Sequence, residues 1–147
     1  MTVKQIIEEV VADLKTMFTF VFGDKGYQNI EADNLTAPFF FMDDDFQVST
    51  TIAESETQIN SFGISVGIYF ENKGIDDLPT EKWELKTQAL ATKHEFLYKL
   101  QNREEVQEIN SITGNIIGLP AAKDNYLTGI DLTFTVTLTD RHNYCFK

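Results

Sequence analysis

The stretch of sequence that decides the fold is Leu127-Thr128-Gly129-Ile130-Asp131-Leu132-Thr133-Phe134-Thr135-Val136-Thr137-Leu138-Thr139-Asp140. Every second residue from Ile130 to Leu138 is apolar, and the residues between them are one aspartate and a row of threonines. Successive side chains of a β-strand point to opposite faces, so this alternation predicts a strand with one buried face and one solvent-facing face. The sequence therefore predicts a sheet that is covered on one side and presents threonine on the other.

Four other segments have the composition of strands. Pro38–Met42 is short, apolar and aromatic, which predicts a strand buried on both faces. Phe46–Glu54 and Phe62–Phe70 alternate in polarity and are predicted as half-buried strands. Together they form a long β-hairpin over about 46–70, which we expect to extend as an arm. Ile109–Leu119 is predicted as the strand that pairs with the last one.

Two helices are predicted from apolar residues that recur at steps of three and four. The first begins after Thr2, its predicted N-cap, and ends near Phe20–Gly23, because glycine commonly stops helices. The second runs from about Pro79 to Gln101, and Trp83 falls near its apolar stripe. This order of elements predicts an α+β fold in which a single, mostly antiparallel sheet carries both helices on one face.

Length and charge limit the classes of protein that fit this pattern. The chain has 147 residues, 42% apolar and 24% charged, and no linker or repeat divides it, so we expect a single α+β domain over residues 1–147. The net charge of −11 argues against a general nucleic-acid binder and against a protein that docks on anionic membranes. The N-terminal pattern is amphipathic and no apolar run approaches a membrane span, so neither a signal peptide nor a membrane anchor is expected.

Residue types that carry reactions or bind metals do not form a known motif in this sequence. It contains no Gly-x-Ser-x-Gly elbow, phosphate loop or dinucleotide fingerprint. His94 is expected on the surface of the second helix, and His142 with Cys145 supplies too few ligands for zinc. The acidic run at 43–45 lacks the spacing of a calcium loop and is interpreted as a turn. We therefore expect no enzyme activity, no cofactor and no metal site.

Two surfaces exceed what a minimal domain needs, namely the tip of the hairpin and the threonine face of the last strand. An uncharged, β-branched strand face is either a solvated surface or one that binds a copy of itself or a partner, and the sequence leaves both readings open. The candidate subunit-interface residues are Glu54, Ser55, Glu56, Thr57, Gln58, Thr133, Thr135 and Thr137.

The aromatic residues offer a different function, that of a small α+β binding domain with an apolar pocket between sheet and helices. Dense packing of these side chains would leave no such pocket, so their arrangement discriminates between the two functions. The residues that would line the pocket are Phe39, Phe40, Phe41, Phe62, Phe70 and Phe134.

Three segments carry a resemblance to a known family: Pro38-Phe39-Phe40-Phe41-Met42-Asp43, the helix over Trp83–Leu100, and Leu127-Thr128-Gly129-Ile130-Asp131-Leu132-Thr133-Phe134. In their order and hydrophobic pattern they resemble the tail terminator and related head–tail connector (neck) proteins of tailed bacteriophages. The resemblance covers most of the chain and includes no catalytic signature.

This resemblance implies a structural virion protein that forms a homo-oligomeric ring, a hexamer or a dodecamer, at the head–tail junction or the tail end. Its partners would be adjacent neck, portal or tail-tube proteins, with no membrane involved. DNA would only pass through the lumen without specific contacts, and a negative subunit suits such a conduit because it repels phosphate. The implied location is the virion, assembled in the cytoplasm of a bacterial host.

Overall fold

The computed structural model describes residues 2–24, 26–28, 31, 35–52, 54, 58–72, 79–120 and 126–139. Side chains at 72, 79–82, 117–120 and 126 are left out of this description. The helices and strands, in chain order, are α1 (Val3–Ala12), β1 (Thr19–Phe22), β2 (Phe39–Met42), β3 (Gln47–Ile52), β4 (Gln58–Asn72), α2 (Pro79–Gln101), β5 (Val106–Pro120) and β6 (Tyr126–Leu138).

The six strands form one sheet in the order β1-β2-β4-β6-β5, with β3 also paired to β4. β2 and β3 lie one after the other along the same edge of β4, where they pair with Val66–Tyr69 and Gln58–Gly63. Every strand pair is antiparallel except β1–β2, which is parallel. The predicted α+β class with a single, mostly antiparallel sheet is therefore confirmed.

The helices α1 and α2 cover one face of the sheet, as the sequence predicts. Phe96 of α2 lies at the centre of the core between them, with its ring 4.9 Å from that of Phe40 and 5.9 Å from that of Phe134. The end of α2 is also tied to the end of α1, because Lys99 Nζ donates to the Asp13 carbonyl oxygen over 2.6 Å. The buried residues of this main core are Val3, Ile6, Ile7, Val10, Val11, Leu14, Phe40, Met42, Phe62, Ile64, Val66, Ile68, Ala89, Phe96, Leu100, Val106, Ile130, Leu132, Phe134, Val136 and Leu138.

The N-terminal helix is shorter than predicted. Its start is confirmed, since the Thr2 hydroxyl accepts from the Gln5 backbone N–H and the Gln5 side chain accepts from the Thr2 N–H in a capping box. It ends at Ala12, however, and the residues expected to be its last turn form β1. The reason is tertiary, because β1 pairs with β2 and Thr19 N–H donates to the Pro38 carbonyl where the two strands begin.

The predicted hairpin over 46–70 is present, but most of it belongs to the sheet and does not form a free arm. β4 is a central strand, paired with β6 from Ser61 to Asn72. Only its first residues, Gln58–Asn60, pair with β3 alone among the described strands. The prediction that β3 is half-buried is wrong, because all six of its residues are exposed. The alternation in its sequence is real, but neither helix reaches over it.

A second, smaller cluster lies on the face opposite the helices. Tyr69 is its largest member, only 1% exposed, and its hydroxyl donates to Asp131 on the adjacent β6. The Tyr69 ring lies across Gly67, where an added Cβ would overlap it, so the glycine provides room for the aromatic side chain. The buried residues of this cluster are Val21, Phe39, Phe41, Tyr69 and Leu127. The prediction that β2 is buried on both faces is thus confirmed.

Candidate subunit interface

The predicted hairpin tip is only partly described. Glu54 is exposed, and Gln58 is half-buried at the start of β4, where it pairs with Ile52 of β3. Ser55, Glu56 and Thr57 lie outside the described residues. Ile52 and Gln58 form the last described residue pair of the β3–β4 ladder, and Glu54 follows it.

The predicted threonine row of β6 is exposed at one end and buried at the other. Thr133 is exposed, Thr135 is half-buried and Thr137 is buried, so the expectation of a solvent-facing row is wrong at Thr137. The Thr137 hydroxyl is 2.7 Å from that of Ser61 on β4, and this hydrogen bond offsets its loss of water. The row borders β4 along one side, and its buried end lies nearest the hairpin.

The threonine row is one part of a wider hydroxyl-rich face that the sequence analysis missed. Residues in register on adjacent strands share a face, and two such rows run from β3 through β4 to β6. The sequence indicates this face only through the serines and other small residues at alternate positions of β3 and β4. The pairing of these strands is what places those residues side by side. We call this the hydroxyl face and define it as Ser49, Ser61, Ser65, Thr113, Thr133, Thr135 and Thr137.

The opposite side of β3 is apolar and equally uncovered. Val48 is 52% exposed and Ile52 is 68% exposed, although Val48 is in register with Phe62, a residue of the main core. Thr50 lies between them and donates to the Asn60 amide oxygen over 2.7 Å. β3 thus continues the helix-covered side of the sheet past the point where the described helices protect it.

β5 forms the other edge of the sheet and was not predicted as an interface. Within the described part of the chain it pairs with β6 alone, and every residue from Asn110 to Ile116 is exposed. A β-bulge interrupts it, since β5 advances from Asn110 to Thr113 while β6 advances by one residue fewer, and Ser111 has a φ of 56°. No charged residue occurs from Ile109 to Pro120.

Two carboxylates line a shallow cavity of about 230 Å³ that borders the hydroxyl face at Ser65 and Thr133. Asp43 and Asp131 line it with Asn115, and Gln28 Nε2 donates to Asp43 Oδ1 over 2.8 Å. Burial raises the pKa of Tyr69, and its hydrogen bond to Asp131 raises it further. No group of three or more metal-ligating side chains occurs within the residues that the structure describes.

The outer side of α2 also differs from the prediction. Trp83 was expected near the buried stripe, but it is exposed, as is Tyr98. His94 is exposed, as predicted. Ala89, Phe96 and Leu100 form the buried side instead. Trp83 precedes Ala89, which is the first buried residue among the described side chains of α2.

The six phenylalanines proposed as a pocket lining are divided between the two sides of the sheet. Phe39 and Phe41 stack at 5.2 Å in the second cluster, whereas Phe40, Phe62 and Phe134 belong to the main core. Phe70 packs against that core and lies 5.6 Å from Phe18. An open cleft of about 270 Å³ does exist beside α2, and it is lined by Lys15, Thr16, Phe70, Gln88, Ala91, Thr92 and Glu95.

The sequence matches no protein-family model and no curated protein. No helix in the described ranges is both long enough and apolar enough to cross a lipid bilayer.

Proposed function

We propose that this chain is a structural subunit of a tailed-bacteriophage virion, which assembles with copies of itself into a ring at the head–tail junction or the end of the tail. In this role it acts as a tail terminator or connector and carries out no catalysis. Its neighbours are neck, portal or tail-tube proteins, and DNA passes through the ring.

The observation that carries the proposal is the exposure of β3, an edge strand without charged residues. An isolated strand at the edge of a sheet is held only by its neighbour, and natural proteins protect such edges with charge, proline or a covering element. β3 has six exposed residues and carries no charge, so its surface suits contact with another protein chain. The other edge strand of the sheet, β5, has no charged residue from Ile109 to Pro120 and offers a second, different surface.

Two unlike surfaces are what a cyclic assembly requires. In a ring of identical subunits the contacts are head-to-tail, so each subunit contributes one patch to the neighbour on its left and a different one to the neighbour on its right. The net charge of −11 supports the conduit role, because a lumen lined by such subunits repels DNA phosphates and limits sticking. A ring whose lumen is lined with Lys and Arg would contradict this part of the proposal.

The mass of the protein in solution tests the proposal. The chain is purified alone and after co-expression with the products of the adjacent genes, and light scattering measures the mass of each sample. A defined ring of several subunits, alone or bound to one of those products, is expected. A chain that stays monomeric in both samples contradicts the proposal.

A further inference from the structure

We propose that the ring is closed by strand pairing, in which β3 of one subunit adds to the free edge of β5 of the next, so that one continuous sheet passes through all the subunits. The inference rests on the proposed function and specifies the contact that carries it. The occupant of each edge is thus a second copy of this chain.

Backbone chemistry supports this pairing. The outer edge of a terminal strand presents a row of N–H and C=O groups that are suited to hydrogen bonding with another strand. Within the described residues β3 pairs only with β4, and β5 pairs only with β6. Contact of β3 with β5 would use the free edges of both strands in every subunit, whereas β3–β3 or β5–β5 contact would use only one of them.

Charge also favours contact at these two strands. Copies with a net charge of −11 repel one another, so they approach most easily where acidic side chains are lacking. Gln47–Ile52 and Ile109–Pro120 contain no charged residue. β5 also carries Glu108, which precedes this uncharged stretch, and the bulge at Ser111 lies between Glu108 and the segment that begins at Thr113.

The side chains match as well. Val48 and Ile52 lie on the helix-covered side of the sheet, and so does Ile116, which is in register with Ile130 of the main core. In a continuous sheet with all helices on the same side, these exposed apolar side chains would lie next to one another and be removed from water. On the other side, Ser49 would extend the hydroxyl face of one subunit towards Thr113 of the next.

Disulfide trapping tests the pairing directly. Single-cysteine chains are made in a Cys145→Ser background, with Ser49→Cys in one and Thr113→Cys or N115C in another, all on the same side of the sheet. Thr133→Cys is the matched control, since it lies on the same face but on the central strand β6. Mixed oxidation is expected to give a heterodimer of the Ser49→Cys chain with a β5 variant, and none with Thr133→Cys.

The other outcomes separate the inference from the proposed function. An oligomer that forms only disulfides between identical positions, or no disulfide at all, overturns the β3–β5 pairing and leaves the ring intact. A chain that is monomeric alone and with its partners contradicts both. If oxidation perturbs assembly, I52K provides an independent test, because Ile52 is 68% exposed and contributes little to folding.

The I52K variant is expected to weaken self-association at least about tenfold, while thermal unfolding of the dilute monomer stays unchanged. Thr87→Lys, which adds the same charge on the exposed side of α2, is the control and should associate normally. Equal association of I52K and the wild type would overturn the inference.

Discussion

The buried Tyr69 hydroxyl makes the stability of this fold sensitive to alkaline pH. Burial raises the pKa of Tyr69 above its ordinary value of 10.0, and the hydrogen bond to Asp131 and the charges of Asp131 and Asp43 act in the same direction. The Tyr69 hydroxyl therefore loses its proton less readily in the folded protein than in the unfolded chain. The stabilisation is complete below pH 10.0 and is lost progressively as the pH rises above that value.

The magnitude follows from the linkage between protonation and folding. Each pH unit above the unfolded pKa removes about 1.4 kcal/mol, so the free energy of unfolding falls by about 1.4 kcal/mol from Tyr69 alone at about pH 11. Domains of this kind are stable by only about 5–15 kcal/mol, so the loss is measurable. The assay is urea unfolding at about pH 9, about pH 10 and about pH 11.

The variant Tyr69→Phe isolates this contribution, because it keeps the ring and removes the titrating group. Near neutral pH it should cost about 1 kcal/mol for the lost hydrogen bond to Asp131. Above pH 10 its stability should fall less steeply than that of the wild type, by about 1.4 kcal/mol per pH unit. The pKa of Lys99 is raised by its hydrogen bond to Glu95, and comparing the two proteins cancels that contribution. Identical slopes for wild type and Tyr69→Phe would refute the reasoning, and the exposed Tyr98→Phe serves as the control.

Two further substitutions test the packing of the sheet. Gly129→Ala would place a Cβ onto the Ile68 carbonyl oxygen of β4 and should destabilise the fold by about 3 kcal/mol, measured by urea unfolding. Gly63→Ala is its control, since the nearest atom to its Cβ would be 3.9 Å away, and a similar loss there would contradict the explanation. Phe96→Ala removes the ring at the centre of the main core and should cost about 3–5 kcal/mol. The exposed His94→Ala should change stability by less than about 0.5 kcal/mol, and equal effects of these two would contradict the core assignment.

The parts of the fold that depend on local pattern were predictable from the sequence. The bounds of α2 agree with the prediction of Pro79–Gln101, and β6 follows the alternation from Ile130 to Leu138. In β6 the alternation of apolar residues is set by the face that the strand buries, so the sequence carries the information directly, whereas for α2 the bounds were predicted correctly but the burial of Trp83 was not.

The parts that depend on distant contacts were not predictable in the same way. Thr19–Phe22 continues an apolar helical period, and only its parallel pairing with β2 makes it a strand. β3 alternates like a half-buried strand, but whether anything covers it depends on where the helices end. The edge position of β5 is likewise a property of strand order, which no local pattern encodes.

For the candidate interface, sequence reasoning identified the threonines of β6 but not the surface to which they belong. Thr133 is exposed as expected, whereas Thr137 is bonded to Ser61 and buried. The two edge strands, β3 and β5, can be recognised as edges only when the sheet is assembled, because they lie far apart in the sequence.

Hydrogen exchange of the β3 amides tests the central claim most directly. The chain is compared as a dilute monomer and in its assembled form, and protection is measured at each residue from Gln47 to Ile52. Amides of β3 that do not bond to β4 should become protected on assembly, together with those on the outer edge of β5, while the amides of β6 change little. Assembly without any gain of protection in β3 would show that this strand does not join the copies.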